Sequence, residues 1–266
     1  MIKLVALDLD NTLLTNDKRI SEVNEKALKA LTAKGVKVVL CTGRPINAIW
    51  HYIEQLGLTQ PDDFTITFNG ALVINNTSRT VLAQQGITKA ELKPLHDFSQ
   101  ANQFPMDVLN FEQVYPMTDL VASTYQLGGN IKFEPMTFDQ LPDKLYAKVV
   151  AAQKPEILDR LTDALPTELK QQYHVARSQP HILEFLSPTT DKAVGLHALL
   201  AHFGWDEAQL MAFGDAENDT GMLKAARVGV AMANAQPQIT ALTQYHTASN
   251  EDDGVAQFVN QYFNEH

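Results

Sequence analysis

Short apolar runs that alternate with helical patterns are the feature that most constrains the fold of this chain. Residues 2–7 and 36–41 are almost continuously apolar, as is typical of strands covered on both faces in a parallel sheet. A helical pattern lies between them, with Ser21 in the place of an N-cap and Gly35 in the place of a left-handed C-terminal cap. This order of strand, helix and strand predicts a βα architecture.

The same alternation continues on both sides of one long interruption. Pro45 stands at the predicted first position of a second helix, and a turn at Asn69-Gly70 separates two short strands, 64–68 and 71–74. Towards the end of the chain the pattern predicts a helix, a strand, a helix and a strand at residues 191–203, 210–213, 220–226 and 228–231.

The interruption has a different pattern, in which helices and strands do not alternate regularly. Helical stretches are predicted at residues 89–102 and 155–165, and strands at 144–150, 173–177 and 182–186. The chain is therefore predicted to form a doubly wound, Rossmann-like α/β core with a mainly parallel sheet, residues 1–82 and 188–266. Residues 83–187 are predicted to form an inserted α+β domain.

Charge and cysteine content exclude several classes of function. The chain has 21 basic and 31 acidic residues, and its net charge of −10 opposes binding to nucleic acids or to anionic membranes. No apolar run approaches the roughly 18 residues that span a bilayer, and Asp8 and Asp10 interrupt the first run too early for a signal peptide. The one cysteine, Cys41, cannot form an internal disulfide, so a reducing, cytoplasmic setting is expected.

Polar clusters follow three of the apolar runs, at residues 8–12, 42–44 and 214–219. Because parallel strands end at the same edge of a sheet, these clusters are expected to meet where open α/β sheets bind their ligands. Asp8, Asp10 and Asp215 would repel one another there, and a hard divalent cation such as Mg²⁺ is the usual compensation. The sequence therefore predicts metal-assisted chemistry on an anion.

The spacing of these residues suits phosphoryl transfer. Asp8 and Asp10 are two residues apart, so one carboxylate can form an acyl phosphate while the other protonates the leaving oxygen and then activates water. Lys192 can supply a fixed positive charge, and the Thr42 hydroxyl with nearby backbone N–H groups can hold phosphoryl oxygens. Taken singly, each of these residues has a simpler interpretation as a turn, cap or surface residue.

Together the motifs resemble those of the haloacid dehalogenase superfamily, in particular phosphatases of the Cof-like branch with a class IIB cap. The segments that carry the resemblance are Asp8-Leu9-Asp10-Asn11-Thr12-Leu13, Thr42-Gly43-Arg44, Asp191-Lys192 and Gly214-Asp215-Ala216-Glu217-Asn218-Asp219-Thr220-Gly221-Met222-Leu223. One departure is Asn11, where the family more often has glycine. Asparagine tolerates a left-handed backbone better than other non-glycine residues, so the turn should form.

The resemblance implies a role for each matching residue. Asp8 would be the nucleophile and Asp10 the general acid and base. The implied metal site for Mg²⁺ consists of Asp8, the backbone carbonyl of Asp10, Asp215 and Asp219. The implied phosphate-binding residues are Thr42, Gly43, Lys192 and Asn218. The insertion at residues 83–187 would be the cap that selects the substrate.

Three functions agree with these observations. The first is a Mg²⁺-dependent phosphatase acting on small phosphorylated metabolites, such as sugar phosphates or phosphorylated cofactors, through an aspartyl phosphate. The second is a phosphohexomutase-type phosphotransferase, and the third is a non-catalytic sensor of a phosphorylated metabolite. The intact pair Asp8 and Asp10 argues against the sensor, which has no need of an acid and base. The physiological substrate and the oligomeric state are not readable from the sequence.

Overall fold

The computed structural model describes residues 1–126 and 131–265, which form two compact units. The larger unit is built from the chain up to Gln84 and again from Asp191 onward, and the smaller unit from Gln85–Thr190. The predicted α/β fold class is confirmed by the parallel sheet of the larger unit and by the mixed helices and strands of the smaller one. None of the helices in the described ranges is both long and apolar enough to cross a bilayer.

The elements follow one another in chain order. Up to residue 84 they are β1 (Leu4–Leu7), α1 (Glu22–Ala33), β2 (Lys37–Leu40), α2 (Ile46–Leu56), β3 (Phe64–Thr67), β4 (Leu72–Asn75) and β5 (Val81–Gln84). The smaller unit contains β6 (Ile87–Thr88), α3 (Lys89–Asn102), β7 (Asp107–Leu109), β8 (Gln113–Pro116), β9 (Lys132–Phe133), β10 (Leu145–Tyr146), β11 (Lys148–Ala152), α4 (Pro155–Ala164), α5 (Thr167–Gln172), β12 (His174–Gln179) and β13 (Ile182–Leu186). The chain ends with α6 (Lys192–Phe203), β14 (Leu210–Gly214), α7 (Thr220–Ala225), β15 (Val228–Ala231), α8 (Pro237–Leu242), β16 (Tyr245–His246) and α9 (Gly254–Glu265).

The main sheet of the larger unit is entirely parallel, with the strand order β16-β15-β14-β1-β2. One of its interior strands, β1, is buried along its whole length, which explains its continuous apolar sequence. Leu7 pairs with Leu40 of β2 on one side and with Phe213 of β14 on the other. The residues that follow these three positions therefore lie side by side at one edge of the sheet.

Local signals in the sequence explain where the helices begin and end. The Ser21 side chain accepts the backbone N–H of Asn24 and caps α1, and Gly35 has a φ of 84° just after that helix. The prediction that Pro45 is the first residue of α2 was wrong. Pro45 is the N-cap, with a φ of −70° and a ψ of 151°, because the chain is still extended there and the helix starts at Ile46.

A small antiparallel sheet of β3, β4 and β5 adjoins the parallel sheet through a bridge between Cys41 and Ile66. The predicted turn at Asn69-Gly70 connects β3 to β4, and both residues have positive φ, 56° and 100°. A Cβ on Gly70 would lie 2.0 Å from the backbone oxygen of Asp191. Glycine at this turn therefore allows the start of α6 to approach it closely.

The smaller unit has a six-stranded sheet in the order β12-β13-β11-β7-β8-β9. One face packs on the apolar residues of α3, α4 and α5 and forms the main core of this unit. Residues 144–150, predicted as one strand, form parts of two, and this prediction was wrong. β10 pairs with β6, whereas β11 pairs with β7 and β13, so the chain changes sheets at Ala147.

Candidate functional site

Three aspartate side chains meet beyond the carboxyl ends of β1 and β14. Asp8 directly follows β1, Asp215 directly follows β14, and Asp219 lies four residues further along the chain. Each offers one carboxylate oxygen, and these oxygens lie within 4.8 Å of one another. All three side chains are buried. The structure therefore brings together Asp8, Asp215 and Asp219, whereas the carboxylate of Asp10 is not part of this cluster.

The ammonium group of Lys192 is buried against these carboxylates. Its Nζ donates to Asp8 Oδ1 at 2.5 Å and to Asp219 Oδ1 at 2.7 Å. Lys192 is the first residue of α6, and the Asp191 side chain caps that helix by accepting the backbone N–H of Ala193. These three carboxylates and one ammonium carry an excess of negative charge when all of them are ionised.

Burial and charge shift the pKa values of this cluster. Burial raises the pKa of Asp8 to about 8; the ammonium of Lys192 opposes the rise, and the carboxylates of Asp219 and Asp215 add to it. Burial also raises the pKa of Asp215 to about 6, and the carboxylate of Asp219 adds to the shift. Burial alone would lower the pKa of Lys192, but the charges of Asp219 and Asp8 outweigh it and raise that pKa. The lysine is therefore held charged, whereas full ionisation of the carboxylates is disfavoured.

A divalent cation fits this arrangement. The available donors are carboxylate oxygens, the ligand type that hard cations bind, and they are close enough together to share one ion. A bound cation would also balance the negative charge that Lys192 leaves uncompensated. The cluster could therefore hold a metal ion.

Asp219 also orders the loop that carries Asp215. Its Oδ2 accepts the backbone N–H of Asp215 at 2.9 Å and that of Ala216 at 3.0 Å, while its Oδ1 accepts from Lys192. These contacts fix both the loop after β14 and the ammonium group. A direct bond from Asp219 to a metal ion stays a prediction.

Gly214, the last residue of β14, leaves room for the Asp219 side chain. A Cβ at this position would lie 2.5 Å from the Cβ of Asp219, too close for either atom to stay in place. We expect Gly214→Ala to displace Asp219 together with Lys192 and to lower the free energy of unfolding by about 1–3 kcal/mol, measured by urea denaturation. Gly214→Ala should also weaken metal binding, whereas Gly204→Ala, at a helix end with open space around it, should lower stability through its φ of 66° and leave metal binding unchanged. A Gly214→Ala protein with unchanged stability would contradict this packing argument.

The carboxylate of Asp10 is bound by two other cationic side chains. Arg44 donates from Nε to Oδ2 at 2.9 Å and from Nη2 to Oδ1 at 2.5 Å, and Lys18 Nζ donates to Oδ1 at 2.8 Å. Burial alone would raise the pKa of Asp10, but the hydrogen bonds and charges of Arg44 and Lys18 outweigh it and lower that pKa. This arrangement suits a base. To act as an acid, Asp10 must first be released from these partners.

The turn after β1 forms as expected with asparagine in place of glycine. Asn11 has a φ of 60°, in the left-handed region that asparagine tolerates. The next residue, Thr12, is completely buried, and its hydroxyl donates to Asp215 Oδ1 at 3.0 Å. No pattern in the sequence indicates this contact, which joins the loops after β1 and β14.

The remaining predicted site residues lie at neighbouring loop ends. The Thr42 hydroxyl is buried and accepts the backbone N–H of Arg44 at 3.1 Å. Asn218 is exposed and donates to Asn69 Oδ1 at 3.3 Å, and a Cβ on Gly43 would lie 3.0 Å from that same oxygen. Asn69 thus lies beside Gly43 and accepts a hydrogen bond from Asn218. Its interpretation as a turn residue did not predict this position. Phosphate binding by Thr42, Gly43, Lys192 and Asn218 stays a prediction.

The chain is similar to known proteins over nearly its whole length. The haloacid dehalogenase-like hydrolase family matches residues 5–259. The Bacillus subtilis protein YxeH is 34% identical over 265 residues, covering 98% of each chain. From the same organism, the 5-amino-6-(5-phospho-D-ribitylamino)uracil phosphatase YitU is 28% identical over 267 residues, covering 98% of this chain and 97% of its own. A solved haloacid dehalogenase-like hydrolase from Bacteroides thetaiotaomicron superposes with a TM-score of 0.84 at 25% identity, covering 98% of this chain and 100% of that one.

Proposed function

Because this chain belongs to the family of haloacid dehalogenase-like hydrolases and is a phosphatase, we propose that it hydrolyses small phosphate monoesters with Mg²⁺ through an aspartyl phosphate on Asp8. Family membership confirms the resemblance that the motifs indicated. The observation that carries the proposal is the buried contact of Lys192 with Asp8 and Asp219 at the strand ends. This contact fixes a cation beside the nucleophile, where an anionic phosphoryl group needs one.

The chain's own residues can perform two successive displacements. A carboxylate oxygen of Asp8 attacks phosphorus, the bond to the ester oxygen breaks, and Asp10 gives its proton to that leaving oxygen. In the second step Asp10, now a carboxylate, takes a proton from water as the water oxygen attacks phosphorus. The bond between phosphorus and Asp8 then breaks, which releases inorganic phosphate and restores Asp8. Lys192 and the Thr42 hydroxyl would hold the phosphoryl oxygens in both steps.

A bound Mg²⁺ would supply charge neutralisation between the anionic nucleophile and the anionic substrate. In the proposal it is held by Asp8, the backbone carbonyl of Asp10 and Asp215, and Asp219 completes its surroundings. Burial raises the pKa of Asp8 and so disfavours the ionised form that the nucleophile needs. A neighbouring divalent cation favours that form, which supports a metal ion at this site.

The contacts of Asp10 add a requirement to this mechanism. Arg44 and Lys18 lower the pKa of Asp10 after outweighing the effect of burial, so the group is held as a carboxylate. Protonation for the first step therefore requires that at least one of these contacts breaks when the substrate binds. The carboxylate form that the contacts favour is the one needed in the second step.

We assign substrate selection to the smaller unit and a cytoplasmic location to the protein. The range of substrates is that of small phosphorylated metabolites, in keeping with YitU, which is named for a phosphorylated ribitylamino compound. The net charge of −10 and the single, buried cysteine agree with this setting.

We expect phosphate release to depend completely on Mg²⁺. The experiment measures inorganic phosphate from a panel of phosphorylated metabolites, with and without EDTA. At least one ester should be hydrolysed, the rate should fall by two or more orders of magnitude on chelation, and added Mg²⁺ should restore it. Hydrolysis that is insensitive to EDTA would contradict the metal assignment. An isomerised sugar phosphate without free phosphate would favour the mutase.

A further inference from the structure

Two asparagines of the larger unit lie against the turn that follows β1. Asn234 Nδ2 donates to the backbone oxygen of Asn11 at 2.8 Å. Asn250 Nδ2 donates to the backbone oxygen of Leu14 at 2.9 Å, and the backbone N–H of Asn250 donates to Asn234 Oδ1 at 3.1 Å. The Asn234 amide is therefore fixed at both ends, because its oxygen accepts from Asn250 and its nitrogen donates to Asn11.

The segment that carries Asn234 also holds the loop after β14. It directly follows β15, and the backbone N–H of Met232 donates to the oxygen of Gly214 at 3.2 Å. The backbone N–H of Gln236 donates to the oxygen of Asp215 at 2.9 Å. One short segment thus contacts both loops that carry site aspartates. It contacts the loop after β14 through its backbone and the turn after β1 through the Asn234 side chain.

The backbone of the turn after β1 is one that non-glycine residues adopt rarely. Asn11 has a φ of 60°, and its carbonyl is the group that Asn234 holds. Asp10 is the residue directly before it, so a change of the backbone at Asn11 would move the Asp10 side chain relative to Asp8. A displacement of about 1 Å in an active site can lower a rate by on the order of 100-fold.

The two asparagines differ in burial, and this difference separates geometry from stability. Asn250 is 4% exposed and also donates to Asn16 Oδ1 at 3.3 Å, so it is part of the packed structure. Asn234 is exposed. A hydrogen bond from an exposed side chain adds little to the free energy of unfolding, because water can replace it. The contact of Asn234 with Asn11 therefore contributes mainly to the geometry of the turn.

We propose that Asn234, oriented by Asn250, is a positioning residue for the proton transfers of Asp10. The inference rests on the proposed function, to which the acid and base role of Asp10 belongs. Asn234 acts through the carbonyl of Asn11, which it holds, and the turn in its place keeps Asp10 where it meets the leaving oxygen. Protonation of that oxygen depends strongly on this placement, since an alkoxide leaves poorly without a proton.

The test replaces Asn234 with aspartate and with alanine. Asn234→Asp keeps an oxygen that can accept from Asn250 but loses the N–H donor to Asn11, and Asn234→Ala loses both contacts without adding a charge. Asn260→Asp, at an exposed position on α9, is the matched control. For each protein kcat/KM is measured with Mg²⁺ on p-nitrophenyl phosphate and on the alkyl phosphate that the wild type hydrolyses fastest. Thermal unfolding of each protein is also recorded.

Because p-nitrophenolate leaves without a proton, its release depends little on the position of an acid. We expect both variants to lose kcat/KM on the alkyl phosphate about ten-fold more than on p-nitrophenyl phosphate. Their unfolding temperatures should stay within about 4 °C of the wild type. The control should match the wild type on both esters. Equal losses on the two esters, no loss, or failure of both variants to fold would overturn the proposal.

Failure of the proposed function is recognised separately, by a wild type that hydrolyses no ester. In that case, or if only one of the two esters is hydrolysed, amide hydrogen exchange decides the position of the turn. The N–H of Leu13 donates to the oxygen of Asp8 at 3.3 Å and that of Leu14 to the oxygen of Leu9 at 2.8 Å. Their exchange should be about ten-fold faster in the alanine variant than in the wild type or the control. Unchanged exchange would overturn the proposal.

Discussion

Replacing Asp8 with asparagine is expected to abolish phosphate release, with a loss on the order of 10⁴-fold or more in kcat. The amide cannot serve as the attacking carboxylate, and no other described carboxylate accepts a hydrogen bond from Lys192 except that of Asp219, which is also bonded to the backbone. The measurement is inorganic phosphate released in the presence of Mg²⁺. Asp17→Asn, an exposed carboxylate in the same stretch of chain, is the control and should retain full activity.

The same variant should keep its fold, and the direction of its stability change can be worked out. Burial raises the pKa of Asp8 to about 8, so the native state holds this proton more tightly than the unfolded chain does. Stability is therefore lost as the pH rises from about 4 towards 8, and asparagine removes that loss. At pH 8 in EDTA, Asp8→Asn should unfold at or above the wild-type temperature. Retained turnover would contradict the assigned role of Asp8 as nucleophile, and a strongly destabilised variant would contradict the raised pKa.

The sequence predicts the positions of those site residues that directly follow parallel strands. Asp8 and Asp215 each follow a short apolar run, and β1 and β14 are neighbours in the sheet, so their ends meet. The α/β fold class follows from the same alternation and is confirmed. The turn at Asn69-Gly70 could also be predicted, because its residue types suit positive φ.

Contacts between distant side chains could not be predicted in this way. Lys192 lies 184 positions from Asp8, and nothing in its helical context shows that it is fully buried between two carboxylates. The ion pairs of Asp10 with Arg44 and Lys18 depend on side-chain reach across a turn, which residue spacing does not determine. These contacts are also the ones that shift the pKa values.

The smaller unit shows a different limit of prediction. Strands β7 and β8 are only three and four residues long, and Asp107 and Gln113 at their starts hide the apolar pattern. Once the sheet is known, the register shows that Asp107 and Glu184 flank the same residue of β11. That these two carboxylates share one face of the sheet could be found only from this pairing.

Replacing Lys192 with methionine is expected to have the largest effect on stability. Methionine keeps an apolar stem of similar length but removes the ammonium, which leaves Asp8 and Asp219 buried without their counter-charge. Removing one partner of a buried ion pair costs about 3–5 kcal/mol, and a loss of that size is expected in urea denaturation with EDTA at pH 8. Phosphate release should fall on the order of 10³-fold, because the phosphoryl oxygens lose a fixed cation. Lys224→Met, at an exposed site on α7, is the control.

The pH dependence of this variant separates loss of charge from loss of packing. Without the ammonium, which opposes the rise in the pKa of Asp8, that pKa should rise further, so the native state of the variant takes up protons at a higher pH than the wild type. Its stability deficit should therefore shrink as the pH falls from 8 to 5.5, where the carboxylates can be neutral. Added Mg²⁺ should recover part of the deficit at pH 8, since the cation replaces some of the missing charge. An equal deficit at both pH values would mean that Lys192 stabilises the fold by packing alone, and the electrostatic account of the site would be wrong.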